Sequence, residues 1–404
     1  MGPVYAATLQ DGTRVEYRDR KRLWWSLSVV WPLIPFTGIA AHHFTGWQAM
    51  LALPLVISYG LMPLLDALIG EDTNNPPEAV VPQLEDDRYY RWLTWATVPL
   101  HYVALIGCAW WAGTQALSWW AFVILAYVAG TDSGLGLNTA HELGHKRSRL
   151  EQWLARLALA VPAYGHFTVE HGRGHHRWVA TPEDHASSRM GESIYRFALR
   201  ELPGGIRRAW QLESERLRAL GRSPWDLRHN TMLQSYAVSA LLQGSLIAAF
   251  GLVMLPFLAI HNLVAWWQLT SANYVEHYGL LRQREGAGYE SPKPHHSWNT
   301  NHLVTNLALF HLQRHSDHHA YPSRRYQSLR HFEDLPQLPS GYFGMFPLAY
   351  APRLWFKVMD PRLMALPQVQ GDLDRVNVDP RARAALQARY PKRALQQAEL
   401  ARAA

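Results

Sequence analysis

Nine histidines, set in short clusters at helical spacing, place the tightest demand on how this chain can fold. His141 and His145 stand four apart in H-E-L-G-H, and His171, His175 and His176 follow in E-H-G-R-G-H-H. His315, His318 and His319 lie in R-H-S-D-H-H, and His277 stands alone in N-Y-V-E-H-Y-G. Residues three or four apart share one face of a helix. Each cluster can therefore aim two or three imidazoles at one point, and a fold that brings the clusters together holds metal. Nine imidazoles exceed what a single ion accepts, so their number implies a pair of metals.

The rest of the chain has the pattern of a membrane protein. Hydrophobic residues make up 48% of the 404, and the 18 Trp and 18 Tyr gather near the ends of apolar runs, as interfacial aromatics do. Four candidate spans cover residues 23–41, 47–69, 93–111 and 117–137. The apolar stretch 232–270 is about twice the ~20 residues one span needs, and is broken near Gly251 and Pro256 into two. Two shorter runs, 153–164 and 342–350, fit the membrane interface. Basic residues set the orientation. Arg18, Arg20, Lys21 and Arg22 precede the first span, Lys146, Arg147 and Arg149 follow the fourth, and Arg282 and Arg284 follow the sixth. The connections at 42–46, 113–116 and 253–256 have no Lys or Arg. Both termini are therefore expected in the cytoplasm. The acidic segment 70–91 is the one exception, and Asp and Glu count little in this rule.

The predicted fold is all-α and integral to the membrane: six transmembrane helices with a cytosolic helical cap that carries a histidine-rich dimetal site. Its segments are a cytosolic start (1–22), four spans with the first cluster (23–145) and a cytosolic segment with the second (146–231). Two further spans (232–280), a cytosolic cap with the last cluster (281–375) and a basic tail (376–404) complete it. A helix from Ser118 to His141 extends ~35 Å at 1.5 Å per residue, so it reaches the cytoplasmic edge of the bilayer. The helix leading to His277 does likewise.

Several function classes fall away. The net charge of +7 suits an inner-leaflet surface or an acidic partner; no nucleic-acid-binding motif accompanies it. With one cysteine, Cys108, the chain has no disulfide, Cys-based zinc site or iron–sulfur centre of its own. Residues 1–16 lack the apolar core of a cleavable signal peptide. H-E-L-G-H also matches the zinc-protease pattern with Glu142 as general base, but that reading leaves six or so patterned histidines unexplained. A metal-handling transporter with His-rich loops is a third class.

Glu142, Glu170 and Glu276 each precede a proposed ligand, and Asp317 precedes His318. Neighbours on a helix face different ways, so these carboxylates are expected to accept N–H bonds from nearby imidazoles rather than to bind metal. Imidazole suits iron, zinc, copper or nickel, and the ligand set alone does not choose among them. The aromatic pairs Trp24–Trp25, Trp119–Trp120 and Trp266–Trp267 read first as bilayer anchors. A substrate tunnel between helices could be lined by Trp266 and Trp267, with room left by Ser58 and Gly60. Asp66, near the inner end of the second span, is expected to be buried against the site or near water. His185, His295, His296, His302 and His311 lie near the clusters and are expected to support rather than ligate.

With these motifs in view, the chain resembles the bacterial membrane-bound alkane hydroxylases (alkane 1-monooxygenases), within the integral-membrane di-iron hydroxylase and desaturase group. The resemblance runs from about residue 20 to 374. It is carried by N-T-A-H-E-L-G-H-K at 138–146, E-H-G-R-G-H-H-R at 170–177, N-Y-V-E-H-Y-G at 273–279 and L-Q-R-H-S-D-H-H-A at 312–320. The stretches E-D-T-N-N-P-P-E at 71–78, R-M-G-E-S-I-Y at 189–195 and K-P-H-H-S-W-N at 293–299 add to it.

The resemblance implies two irons on the nine histidines and O2 as co-substrate. It also implies hydroxylation of a medium-chain n-alkane at its terminal carbon, in the bacterial inner membrane. A fatty-acyl desaturase-like reaction is the near alternative. The implied electron donor is rubredoxin, an acidic protein served by its reductase. Rubredoxin needs four cysteines, so this chain does not contain one. Arg147, Arg149, Arg207, Arg208, Arg314, Arg324 and Arg325 are candidate docking cations for it.

Overall fold

The computed structural model describes residues 2–391, and they are mainly helical. A small antiparallel hairpin, β1 (Tyr5–Thr8) with β2 (Arg14–Tyr17), opens the chain with Tyr5 opposite Tyr17. The first apolar run is not one straight helix. Pro32 and Pro35 remove backbone donors, and α1 (Trp24–Leu33) meets α2 (Pro35–Thr45) at a bend of 54°. Gly46, at φ 73°, ends α2 in the left-handed conformation.

Helix α3 (Gln48–Ile69) follows, then α4 (Arg88–Thr114), whose first turn is capped by the Asp87 side chain accepting from Tyr89 N. Helix α5 (Trp119–Gly144) is the most enclosed of the apolar helices. Beyond it come α6 (Arg149–Ala160), a three-part helix α7 (167–178) and α8 (Ile194–Ala219), capped by Ser193. Helix α9 (Thr231–Phe250), capped by Asn230, and α10 (Met254–His277) are separated where the sequence predicts, around Gly251. A tiny hairpin, β3 (Arg284–Glu285) with β4 (Gly288–Tyr289), leads to α11 (Leu303–Ala308), α12 (His315–Ala320), α13 (Tyr342–Ala349), α14 (Pro352–Met364) and α15 (Arg383–Arg389).

Among the described residues, α3, α4, α5 and α9 are long and apolar enough to cross a membrane, and the bent α1–α2 pair makes a fifth if it counts as one span. The sixth expected span, α10, is long enough but less apolar than these, because its last turns carry Gln268, Thr270, Ser271, Asn273, Glu276 and His277. All six of those side chains are buried.

Helices α5 and α10 pack along much of their length, and two glycines a turn apart permit it. A Cβ at Gly130 would stand 2.6 Å from the His261 carbonyl oxygen, and one at Gly134 would stand 2.5 Å from Gln268 Cβ. Small residues at this spacing let helix backbones close on each other. That pairing fixes how deep His141, near the end of α5, stands relative to His277, the last residue of α10.

The non-spanning segments are tied together over these helix ends. Gly279 N donates to Ser188 O at 3.0 Å, Arg282 N to Ala180 O at 2.8 Å, and Met190 N to Asn377 O at 2.8 Å. The segment from 376, expected as a tail, thus begins as part of the body: Val376, Asn377 and Val378 are buried. The described part of the expected basic tail holds the short α15, and residues 392–404 lie outside the described residues. Asp66 is buried, as expected, but serves α11: it accepts from Thr305 N at 3.0 Å and from the Thr305 hydroxyl.

Candidate metal centre

Five imidazoles, those of His141, His145, His171, His176 and His318, bring nitrogen atoms within 4.8 Å of one another. Four more, those of His175, His277, His315 and His319, form a second group whose nitrogen atoms also lie within 4.8 Å of one another. All nine histidines singled out by spacing are in these two groups, and none of the other twelve is. The groups adjoin, with His176 and His319 ring centres 4.4 Å apart.

The backbone explains how the clusters divide. At the end of α5, His141 and His145 share a face one turn apart. In α7 the helix widens into a π-turn over His171–His175. A wider turn brings residues five apart onto one face, so His171 and His176 join the first group while His175 turns to the second. Helix α12 works as ordinary α-spacing: His315 and His319, four apart, face the second group, and His318 faces the first.

The Nε2 atoms converge closely. His141 and His318 stand 2.9 Å apart, His171 and His176 3.0 Å, His315 and His319 2.9 Å, and His277 and His315 3.2 Å. Nitrogen lone pairs gathered this way repel unless a cation lies between them. His145 Nε2 is buried without a hydrogen-bond partner. Burial, with neighbouring imidazoles adding to it, holds His171, His176, His318 and His319 well below the ordinary histidine range. Burial thus favours the neutral ring, the form that binds metal. The donor set fits transition-metal ions.

The carboxylates beside the histidines behave differently from the sequence expectation. Glu142 pairs with Lys146 Nζ at 3.0 Å and accepts from Tyr326 N at 3.4 Å. Glu170 faces Arg208 at 3.6 Å; burial and the nearby Asp184 charge push its carboxyl up to about 8. Asp317 pairs with Arg330 at 2.7 Å and lies 3.7 Å from Arg324. None of these three accepts from an imidazole, because a residue next to a ligand on a helix points away from it. Glu276 is the exception in the other direction. Its Oε2 stands 3.3 Å from His315 Nε2, the nitrogen facing the metal site, while Oε1 accepts from the Tyr342 hydroxyl at 2.9 Å.

The outer support comes from elsewhere. Asp184 Oδ2 is 2.9 Å from His175 Nδ1 and is itself held by Ser187 Oγ at 2.7 Å and, through Oδ1, by Arg208 at 3.3 Å. His277 Nδ1 donates to the His296 carbonyl at 3.2 Å, so His296 supports the site through its backbone. Its ring instead belongs to a small group with Glu290 and His295. His185 packs on Gly204, His302 bonds Thr300, and His311 bonds the Tyr326 carbonyl. Asp184 was not singled out from sequence; its only signal is its place eight residues beyond the end of the second cluster.

A narrow apolar cavity of about 50 Å³ ends on both groups. His141 and His171 of the first and His315 of the second line it, with Leu135, Leu269, Ala272 and Phe343 along its walls. Thr131, Leu135 and Asn138 line it too, all on the His141 face of α5. The tunnel residues expected from sequence are elsewhere. Trp266 donates to Pro162 O at 2.7 Å, and Trp267 packs between Tyr195 and Tyr350. Ser58 Oγ donates to Pro54 O, and Gly60 faces open space but for Val56. Bulky aromatics drew the expectation, whereas small residues on the histidine faces leave the room.

Of the seven expected docking arginines, Arg147, Arg149 and Arg207 are exposed. The others are committed inside the fold. Arg314 is buried on the carbonyls of Asp72, Asn74 and Leu329; Arg324 pairs with Glu78, Arg325 with Glu151, and Arg208 with Asp184.

The chain matches the fatty acid desaturase family over residues 117–349, which include all nine histidines. It is 54% identical to alkane 1-monooxygenase 1 of Alcanivorax borkumensis over 371 residues, 92% of this chain and 91% of that protein. Alkane 1-monooxygenases of Pseudomonas putida and Ectopseudomonas oleovorans are 54% and 55% identical over 370 and 365 residues, covering 91% and 90% of both chains respectively.

Proposed function

Because this chain belongs to the fatty acid desaturase family, among its alkane 1-monooxygenases, we propose that it hydroxylates the terminal carbon of medium-chain n-alkanes. It is a membrane protein and a monooxygenase. The overall change is RH + O2 + 2 electrons + 2 H⁺ → ROH + H2O.

The observation that carries the reading is the apolar cavity ending on both imidazole groups. When bound, a pair of irons supplies the activation of O2 needed to oxidise an unactivated C–H bond. The nine imidazoles hold the two ions, one per group, and Asp184 and the His296 carbonyl orient His175 and His277. Leu135, Leu269, Ala272 and Phe343 have nothing with which to bond a substrate except apolar surface, which suits an alkane. A narrow cavity admits a chain end-on, so its methyl terminus arrives first and the weaker internal C–H bonds stay out of reach. Tyr342 O–H on Glu276 Oε1 gives a place to hold a proton beside the reacting end.

We further infer that α10 crosses the bilayer with the other apolar helices, that residues 146–231 and 281–375 cap the cytosolic side, and that both termini face the cytoplasm of a bacterial inner membrane. Electrons then arrive from the cytosol by way of rubredoxin, for which exposed Arg207 is an available cation.

The test is direct. Purified protein given an n-alkane, O2, rubredoxin and its reductase should form 1-alkanol and contain about two irons per chain. Alkene as product would make it a desaturase, and a single zinc with no redox turnover would make it a hydrolase.

A further inference from the structure

A cleft of about 590 Å³ lies where α5 ends and α9 begins, walled by α6 and the approach to α9. Arg147, Arg149, Arg156, Arg216 and Arg228 line it. Arg216 is neutralised by Glu213 at 2.8 Å, and the nearby Asp226 is taken by His229 at 2.9 Å and Arg222 at 3.5 Å. The other four arginines form no ion pair among the described residues, so the cleft carries a strong positive excess. Arg156 also lies 4.6 Å over the Trp153 ring, which orients its guanidinium. Several guanidinium groups lining one hollow suit an anion with several oxygens, such as a phosphate.

The position of the cleft selects the source of that phosphate. Helices α5 and α9 are both long and apolar enough to span a membrane, and the cleft joins the end of one to the start of the other. It therefore lies at the level where the bilayer ends. Beside it, Leu150 and Trp153 are 50% and 46% exposed, an apolar rim next to a basic hollow. A soluble acidic protein would use charges on a projecting surface, whereas lipid at the interface needs apolar contact for its chains and cations for its head group. We propose that this cleft binds the phosphate head group of an anionic phospholipid, of which phosphatidylglycerol is the simplest. The proposal rests on the membrane-spanning reading of α5 and α9 and is independent of the oxygenase chemistry.

Full-length protein, delipidated in detergent, would be titrated with phosphatidylglycerol and with phosphatidylcholine and read by native mass spectrometry. Phosphatidylglycerol should bind and phosphatidylcholine should not compete. The double variant Arg156→Gln/Arg228→Gln should weaken binding roughly 30-fold, and Arg228→Gln alone, at an exposed side chain, about fivefold, taking each surface cation at its usual contribution. Equal binding of both lipids, or equal phosphatidylglycerol binding by wild type and variants, overturns the proposal. So does unchanged lipid binding with a raised KM for an acidic electron donor, since the cleft would then be a protein-docking surface. Metal content and alkane turnover of the same samples report separately on the oxygenase reading.

Discussion

His171 and His176 are five residues apart, yet their Nε2 atoms stand 3.0 Å from each other because the backbone between them forms a π-turn. The same turn sends His175 to the other group of imidazoles. One seven-residue motif therefore contributes imidazoles to both groups.

That division predicts different losses from adjacent substitutions. His176→Ala should deplete the ion of the five-histidine group, and His175→Ala that of the four-histidine group, each leaving about one metal per chain. Metal analysis of the two variants and their combination checks this. The same total loss from either single variant would mean one shared ion.

Asp184→Asn should keep the nine histidines but weaken the hold on the second ion, because His175 Nδ1 loses its carboxylate partner. Loss of such a partner typically costs about 10–100-fold in metal affinity. A chelator competition series on Asp184→Asn and wild type measures it, and Glu142→Gln, whose carboxylate meets Lys146 and no imidazole, should fall well below that loss.

Ala272→Phe should fill the cavity without touching a histidine. The expected outcome is normal metal content with alkane turnover reduced at least tenfold, since an end-on substrate can no longer reach the imidazoles. Unreduced turnover would place the substrate path elsewhere.

Gly134→Ala tests the pairing of α5 with α10. Its Cβ would come within 2.5 Å of Gln268 Cβ, so the helices must part. Overpacking of this kind costs about 1–3 kcal/mol, read as a lower Tm, and metal should be lost with it because His141 and His277 depend on that contact.

Burial pushes the Glu201 carboxyl up to about 7, even though Thr270 and Asn273 bond to it. The folded state thus holds a proton that the unfolded chain releases near the ordinary glutamate value. Its stabilising contribution is full below about pH 4.5 and is lost as pH rises through about 7. Tm should fall across that window in wild type, and Glu201→Gln should flatten the fall.

Much of the site was legible in sequence because α-helical spacing is a local property. The four-apart pairs His141–His145 and His315–His319 needed no tertiary information. The helix break at Gly251 was legible for the same reason, as were the apolar lengths of α3, α4, α5 and α9. The bend at Pro35 carried a signal in its two prolines that an apolar count passes over. Asp184 carried only its nearness to the second cluster, which is weak because a carboxylate in a loop can face any neighbour. Arginines near the clusters looked like surface charge, yet Arg314 is buried on three carbonyls.

What the chain's order of residues determined by itself was the inventory: nine imidazoles at ligand spacing, apolar helices to hold them in a membrane, and a family resemblance to membrane hydroxylases. Only the folded arrangement decided which imidazoles share a group, that Glu276 rather than Glu142 faces them, and that the cavity is lined by Ala272 rather than by the Trp266–Trp267 pair. The reason is geometric. Spacing along one helix sets which side chains share its face, but the rotation and depth of one helix against another come from packing, here from glycines at 130 and 134 letting α10 close on α5.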